Sequence, residues 1–155
     1  MVRLTVLGLR GFSTESAAPA RIQRPVLYGT GAVGLLPGHF ETIDDSKRHA
    51  RQDGVRATAR RIAATWFATG GQAEHDEACA QSAEATSPTA FDGGLDAMQG
   101  WSGVAELGDI APNTLILWDD GDRTCPSSQS QLLWQTIPKA SLAVLPMRCT
   151  WKNPI

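Results

Sequence analysis

The sequence predicts an α/β fold, a parallel sheet with a block of helices inserted in it, and three observations carry that expectation. The first is a buried-type strand, Thr114 to Trp118, announced by Pro112 and closed by the acidic turn Asp119 to Asp122. The second is the continuation of the chain beyond that turn: a helical stretch from about Ser127 to Ile137, stopped by Pro138, and a last strand from Ser141 to Leu145. Strand, helix and strand joined by short connections form a parallel crossover unit. The third is the long region between Tyr28 and Pro112, where helical periodicity dominates and no strand pattern occurs.

From the N-terminus, Arg3 to Leu7 is apolar and β-branched and reads as a strand running into Gly8 and Gly11. Ser13 to Arg24 is alanine-rich but interrupted by Pro19, which leaves room for a helix of two turns. Pro25 to Tyr28 is a second short strand that stops at Gly29, Gly31 and Gly34, and the Gly and Pro content of Gly34 to Gly38 makes it a loop. Val55, Ala59, Ile62, Ala63, Trp66 and Phe67 then recur on one helix face, with Arg56, Arg60 and Arg61 on the other and Gly70-Gly71 as the stop. Asp76 to Glu84 reads as a polar helix. Ser87-Pro88 starts a third, whose buried stripe is Phe91, Leu95 and Met98, weakened by Gly93 and Gly94. Trp66, Trp101, Trp118 and Trp134 are expected in the core, since a tryptophan buries a large apolar area.

Composition excludes several classes of function. Apolar residues at 42% and charged residues at 19% are those of an ordinary folded domain, and 155 residues suffice for one hydrophobic core. With a formal net charge of -2 and its arginines dispersed, the chain offers no polyanion-binding surface, so no nucleic-acid partner is expected. No apolar run approaches the roughly 20 residues of a membrane span, and Leu4 to Leu9 is too short for the core of a secretory signal. Cys79, Cys125 and Cys149 are odd in number and contain no CxxC pair, which points to a reducing, cytoplasmic location.

The segment Thr114-Leu-Ile-Leu-Trp-Asp-Asp-Gly-Asp-Arg-Thr-Cys-Pro126 resembles the strand and acid turn of the α/β-hydrolase fold. Asp109 to Pro112 is similar to the lead-in of that strand, Ser130 to Leu145 to the helix and strand after it, and Val26 to Thr30 to the strand after the nucleophile helix. The flavour is that of small esterases and of 3-oxoadipate enol-lactonase relatives. Nearly the whole chain takes part, against the later half of the family's usual length.

The resemblance implies a single incomplete domain over 1–155 with a helical cap at about 40–100, a small ester or lactone as substrate, and no cofactor. It places the acid of a Ser-His-Asp triad at Asp122, which would orient a histidine, and the first acidic residue of the motif at Asp120; Asp119 stands where the family usually has glycine. A solvated Asp/Gly turn is the plain alternative for these acids.

The other two triad members are not recognisable. Where a G-x-S-x-G elbow belongs, the chain reads Gly8-Leu-Arg-Gly-Phe12, with a permanently cationic Arg10 at the serine position. Ser13 comes soon after in a setting better suited to a helix cap. Beyond Leu145-Pro146, Thr150 or a neighbour falls at the histidine position, and no histidine occurs after His75. The expectation is therefore a truncated member of the family, non-catalytic, held as a homo-oligomer through a sheet edge left bare. A binding or structural remnant is the competing class.

Three further patterns compete with this reading. Gly29-Thr-Gly-Ala-Val-Gly34 fits G-x-G-x-x-G after a strand and would suit a nucleotide, but Pro37-Gly38 falls where the phosphate-binding helix should begin. His75-Asp-Glu77 matches the H-x-E of zinc deaminases without the P-C-x-x-C that completes it, so no metal is expected. His39 and His49 lie in a polar region and read as solvated.

Overall fold

The structure, a computed structural model, describes residues 22–66, 76–122 and 124–146. The expected strand Arg3 to Leu7, most of the Ser13 to Arg24 segment, Phe67 and the glycine stop at Gly70-Gly71 lie outside these residues. The chain divides into two compact units. One is Gly34–Trp101 and the other is formed by the residues on either side of it.

Among the described residues the flanking unit is a three-stranded parallel sheet. Strand β1 (Val26–Tyr28) pairs with β2 (Thr114–Asp119), and β2 pairs with β3 (Ala140–Leu145), in the order β1-β2-β3. The register sets Val26 against Leu115 and Thr114 against Ala140. Asp119 pairs with Leu145, so the middle strand runs one residue past Trp118 before the turn begins. A 3-10 turn at Val104–Asp109 precedes β2, and helix α5 (Ser127–Thr136) joins β2 to β3. This is the crossover that the sequence predicts, with each boundary within a residue of its expected place.

Burial explains the hydrophobic pattern. Leu27, Ile116, Leu107, Ile110, Leu133 and Ile137 are buried, and α5 packs on β2 and β3. Alternate residues of a strand face opposite sides, which is why Ile116 is buried and Leu115 is 37% exposed. Trp134 is 47% exposed, at the flank of the stripe that Gln129, Ser130 and Leu133 bury, so the expectation of a core role fails there.

In the helical unit, α1 (Ile43–Asp53), α2 (Val55–Ala64), α3 (Asp76–Glu84) and α4 (Pro88–Gly100) succeed one another. Helix α1 is not individually legible in the sequence. Its residues are mostly polar, and only Ile43, Ser46 and Ala50 are buried, at i, i+3 and i+7. Thr42 caps it by accepting from Asp45 N at 3.0 Å and donating to Asp45 Oδ2 at 2.7 Å. Ser87 caps α4 in the expected way, its hydroxyl accepting from Ala90 N at 3.2 Å with Pro88 at the first helical position.

Between α2 and α3 the buried residues are small. Ala59 and Ala63 of α2 and Ala80 of α3 are buried, and the two helices pack together. Their flank is laced by Arg56 and Arg60, which donate to Glu84 at 2.8 and 2.9 Å, and by Arg60 to Glu77 at 2.5 Å. Trp66 is 48% exposed, a second departure from the expected core role. Helix α2 ends at Ala64, so Trp66 has left the helical stripe.

The entry and exit of the helical unit lie side by side. Gly103 N donates to Ala32 O at 2.8 Å, Val33 and Ser102 form an antiparallel bridge, and Gly34 N donates to Trp101 O at 3.0 Å.

Candidate functional site

The carboxyl end of a parallel sheet is where backbone direction and strand termini converge, and Asp119 to Asp122 sits there. Asp119 closes β2, its Oδ1 accepting from Gly121 N at 2.8 Å, and Asp122 N returns to Asp119 O at 3.0 Å. Asp120 is exposed, and its backbone N–H donates to Leu145 O at 3.0 Å, which ties the turn to the end of β3.

Asp122 is held by its own turn. Its Oδ1 accepts from Thr124 N and Thr124 Oγ1, both at 2.8 Å, and from Cys125 N at 2.9 Å. Three donors on one oxygen restrict the rotation of the carboxylate. Oδ2 lies over Gly29, where β1 ends: a Cβ at Gly29 would stand 3.2 Å from it. Gly29 also has φ of +52°, a region that side chains disfavour. The chain thus keeps a glycine where both its own backbone and the acid beside it require one.

The turn is anchored from behind. Trp118 Nε1 donates to Cys125 O at 2.9 Å, and Cys125 is buried. Burial, and then the charge of Asp122, pushes the Cys125 thiol up to about 12, so it stays a neutral packing group and not a nucleophile. Tyr28, at the end of β1, has its phenol raised above the ordinary value by burial first and then by the charges of Asp119 and Asp122.

Of the residues singled out from the sequence, Asp119, Asp120 and Asp122 are brought together, whereas Arg10, Ser13, His75, Cys149 and Thr150 lie outside the described residues. Gly29, Thr124, Cys125 and Trp118 are the supporting residues that sequence reasoning missed. A signal for Thr124 was present, because Asp-x-Thr is the pattern of an Asx turn, in which the acid accepts from the second and third following amides.

The glycine loop has a different use from the one that its motif suggests. Gly29 N donates to Leu117 O at 3.1 Å, Ala32 N to Gln129 Oε1 at 3.2 Å, and Gly34 N to Trp101 O. These amides are spent on the protein itself, and the next helix begins only at Ile43. Gly34 is required for packing: a Cβ there would stand 2.2 Å from Met98 O.

The histidines also differ from expectation. His39 Nδ1 lies 2.6 Å from Glu41 O, and His49 Nδ1 lies 3.2 Å from Glu41 Oε2. They belong to a network, not to open solvent. Glu41, only 10% exposed, also accepts from Arg61 at 3.0 Å and from Ser46. Burial alone would raise the Glu41 carboxyl, but the hydrogen bonds from Arg61 and Ser46 and the charges of Arg61 and His49 outweigh it and hold it below the usual range. Beside this network is an open depression of about 550 Å³, lined by Leu35, Leu36, Phe40, Ile43 and Gln99. Of its three acids, Glu41 is paired with Arg61 and Asp45 with Arg48, and Asp44 also lines it. Among the described residues no cluster of His, Cys, Asp and Glu could hold a metal ion, and no helix is long and apolar enough to cross a membrane.

No family model matches the sequence, and no curated protein matches it. Solved structures do. A hydrolase from Pseudomonas aeruginosa PA01 aligns with a TM-score of 0.75 at 24% identity, over 93% of this chain and 57% of that one. An enol-lactonase from Burkholderia xenovorans LB400 aligns at 0.70 and 21% identity, over 88% and 53%. A thermophilic esterase from Thermogutta terrifontis aligns at 0.72 and 19% identity, over 92% and 56%. The chain spans little more than half the length of these proteins. At such identities the likeness is one of fold: the chain has part of the α/β-hydrolase fold, with an open three-stranded parallel sheet.

Proposed function

We propose that this chain is the acid-bearing part of an ester- or lactone-hydrolase fold, with Asp122 in the place of the acid that orients a histidine, and that the 155-residue chain does not turn over esters by itself. The observation that supports the reading is the asymmetry of Asp122: Oδ1 is held by three donors from Thr124 and Cys125, and Oδ2 faces the glycine at the end of β1. An acid that orients an imidazole needs one fixed oxygen and one directed oxygen, and must stay ionised to stabilise the imidazolium.

Such an acid has no chemistry alone. Ester hydrolysis requires a nucleophile and a general base, and the sequence has neither a G-x-S-x-G elbow nor a histidine beyond His75. Gly34–Trp101 corresponds in this reading to the cap, which would select a small ester or lactone in an active relative. The unpaired thiols of Cys79 and Cys125 fit a cytoplasmic location.

The test is hydrolysis of p-nitrophenyl acetate and butyrate by the purified, folded chain beside Asp122→Asn. We expect no turnover above the buffer blank from either. Turnover that Asp122→Asn lowers by about a hundredfold or more would show a working site built around the acid and would overturn the non-hydrolytic half of the reading.

A further inference from the structure

We propose that β3 is an interaction edge on which a second copy of this chain pairs, antiparallel, about a two-fold axis through Leu142. The inference is independent of the hydrolase reading, because it rests on which backbone groups the sheet uses.

At one end of β3, Thr114 N donates to Lys139 O at 3.0 Å, and at the other, Asp120 N donates to Leu145 O at 3.0 Å. Peptide groups of alternate residues point to opposite sides of a strand. Lys139, Ser141, Ala143 and Leu145 therefore turn theirs towards β2, and Ala140, Leu142 and Val144 turn theirs outward. Ala140 N is taken by Ile137 O at 3.2 Å. The carbonyl of Ala140 and both groups of Leu142 and Val144 remain on the outer side, where no strand pairs with β3 among the described residues.

This set is self-complementary. In an antiparallel copy with Leu142 opposite its own counterpart, each Leu142 N–H meets the other's carbonyl. Each Val144 N–H meets the carbonyl of Ala140 across the axis. An isologous contact of this kind uses the same patch on both copies.

The side chains favour that occupant. Ala140 to Leu145 contains no charged residue, so a copy meets no like charge, and Leu142 meets Leu142 on the face that carries the buried Ile116. Lys139 falls just outside, opposite Leu145 of the copy. Val144 is 51% exposed. Edge strands usually carry a lysine, a proline or a bulge against such pairing, and β3 has none of these within its six residues. The pairing would double the three-stranded sheet.

The test uses the whole chain in sedimentation velocity from about 1 to 200 µM, with amide hydrogen exchange at both ends of the range. We expect a reversible dimer. Leu142 and Val144 amides should gain protection as concentration rises, while Ser141 and Ala143, bonded to β2, stay protected throughout. Val144→Pro removes only an outward N–H, and Val144→Lys places a charge on the edge. Each should weaken the dimer at least about tenfold with an unchanged circular dichroism spectrum. Trp134→Lys, an equally exposed apolar site on α5, should leave it unchanged. A monomer throughout the range, a dimer indifferent to both Val144 variants, or Leu142 and Val144 amides equally protected at all concentrations would each overturn the proposal.

Discussion

The charges of Asp119 and Asp122 at the end of β2 act on Tyr28, which can report on them. It is the only tyrosine in the chain, so tyrosinate absorbance belongs to it alone. Its phenol is raised by burial and by Asp119 and Asp122, so in the folded protein it should ionise above the ordinary value of about 10. A raised folded value means that the associated stability is fully present below the unfolded value and is lost as pH rises through the folded one. Asp122→Asn should move the absorbance midpoint down towards that of the denatured chain, and an unchanged midpoint would place the two groups apart. Gly29→Ala should act at the same turn, through the strained φ and the 3.2 Å approach to Oδ2, at a cost of about 1–3 kcal/mol in denaturant unfolding. Legibility at this scale was partial. The acids stand out in sequence because three occur in four residues, but Gly29 lies far from them in the chain, and only the parallel register of β1 on β2 makes it their neighbour.

At the scale of elements, helix ends and close approaches decide most. Thr42→Ala removes both the bond from Asp45 N and the one to Asp45 Oδ2, and should cost about 1 kcal/mol of stability by urea unfolding. Gly34→Ala should cost more, about 1–3 kcal/mol, because the obstacle at 2.2 Å is the backbone carbonyl of Met98 and not a side chain that can turn away. The Glu41 carboxyl, held low by Arg61, Ser46 and His49, contributes stability that is present above its unfolded value and lost as pH falls through the folded one. An acid titration followed by circular dichroism should therefore show Glu41→Gln flattening the acid limb of the stability curve. Helices α2, α3 and α4 were visible in the sequence through stripes, caps and proline. Helix α1 was not, since it buries only one large apolar residue and is fixed by its cap and the Glu41 network, which couples residues that no local pattern links.

For the molecule as a whole, the parallel crossover from β2 through α5 to β3 was legible because its connections are short and its apolar runs are bounded by proline. The pairing of β1 with β2 was not directly legible, since the helical unit separates them in sequence and only the likeness to known folds joined them. The exposed Trp66 and Trp134 show the limit of reading burial from residue type: large apolar area predicts a core role, and position on the element overrules it.

The bridge that joins Ala32 to Gly34 with Trp101 to Gly103 has a wider meaning. Val33 and Ser102 pair with one another, so residues 34–101 form a loop whose two ends are already joined. Loop-closure entropy grows only slowly with loop length, so lengthening, shortening or exchanging the residues beyond that clasp costs the sheet little. A fold with this junction can replace its helical unit wholesale while the scaffold that holds Asp122 stays as it is.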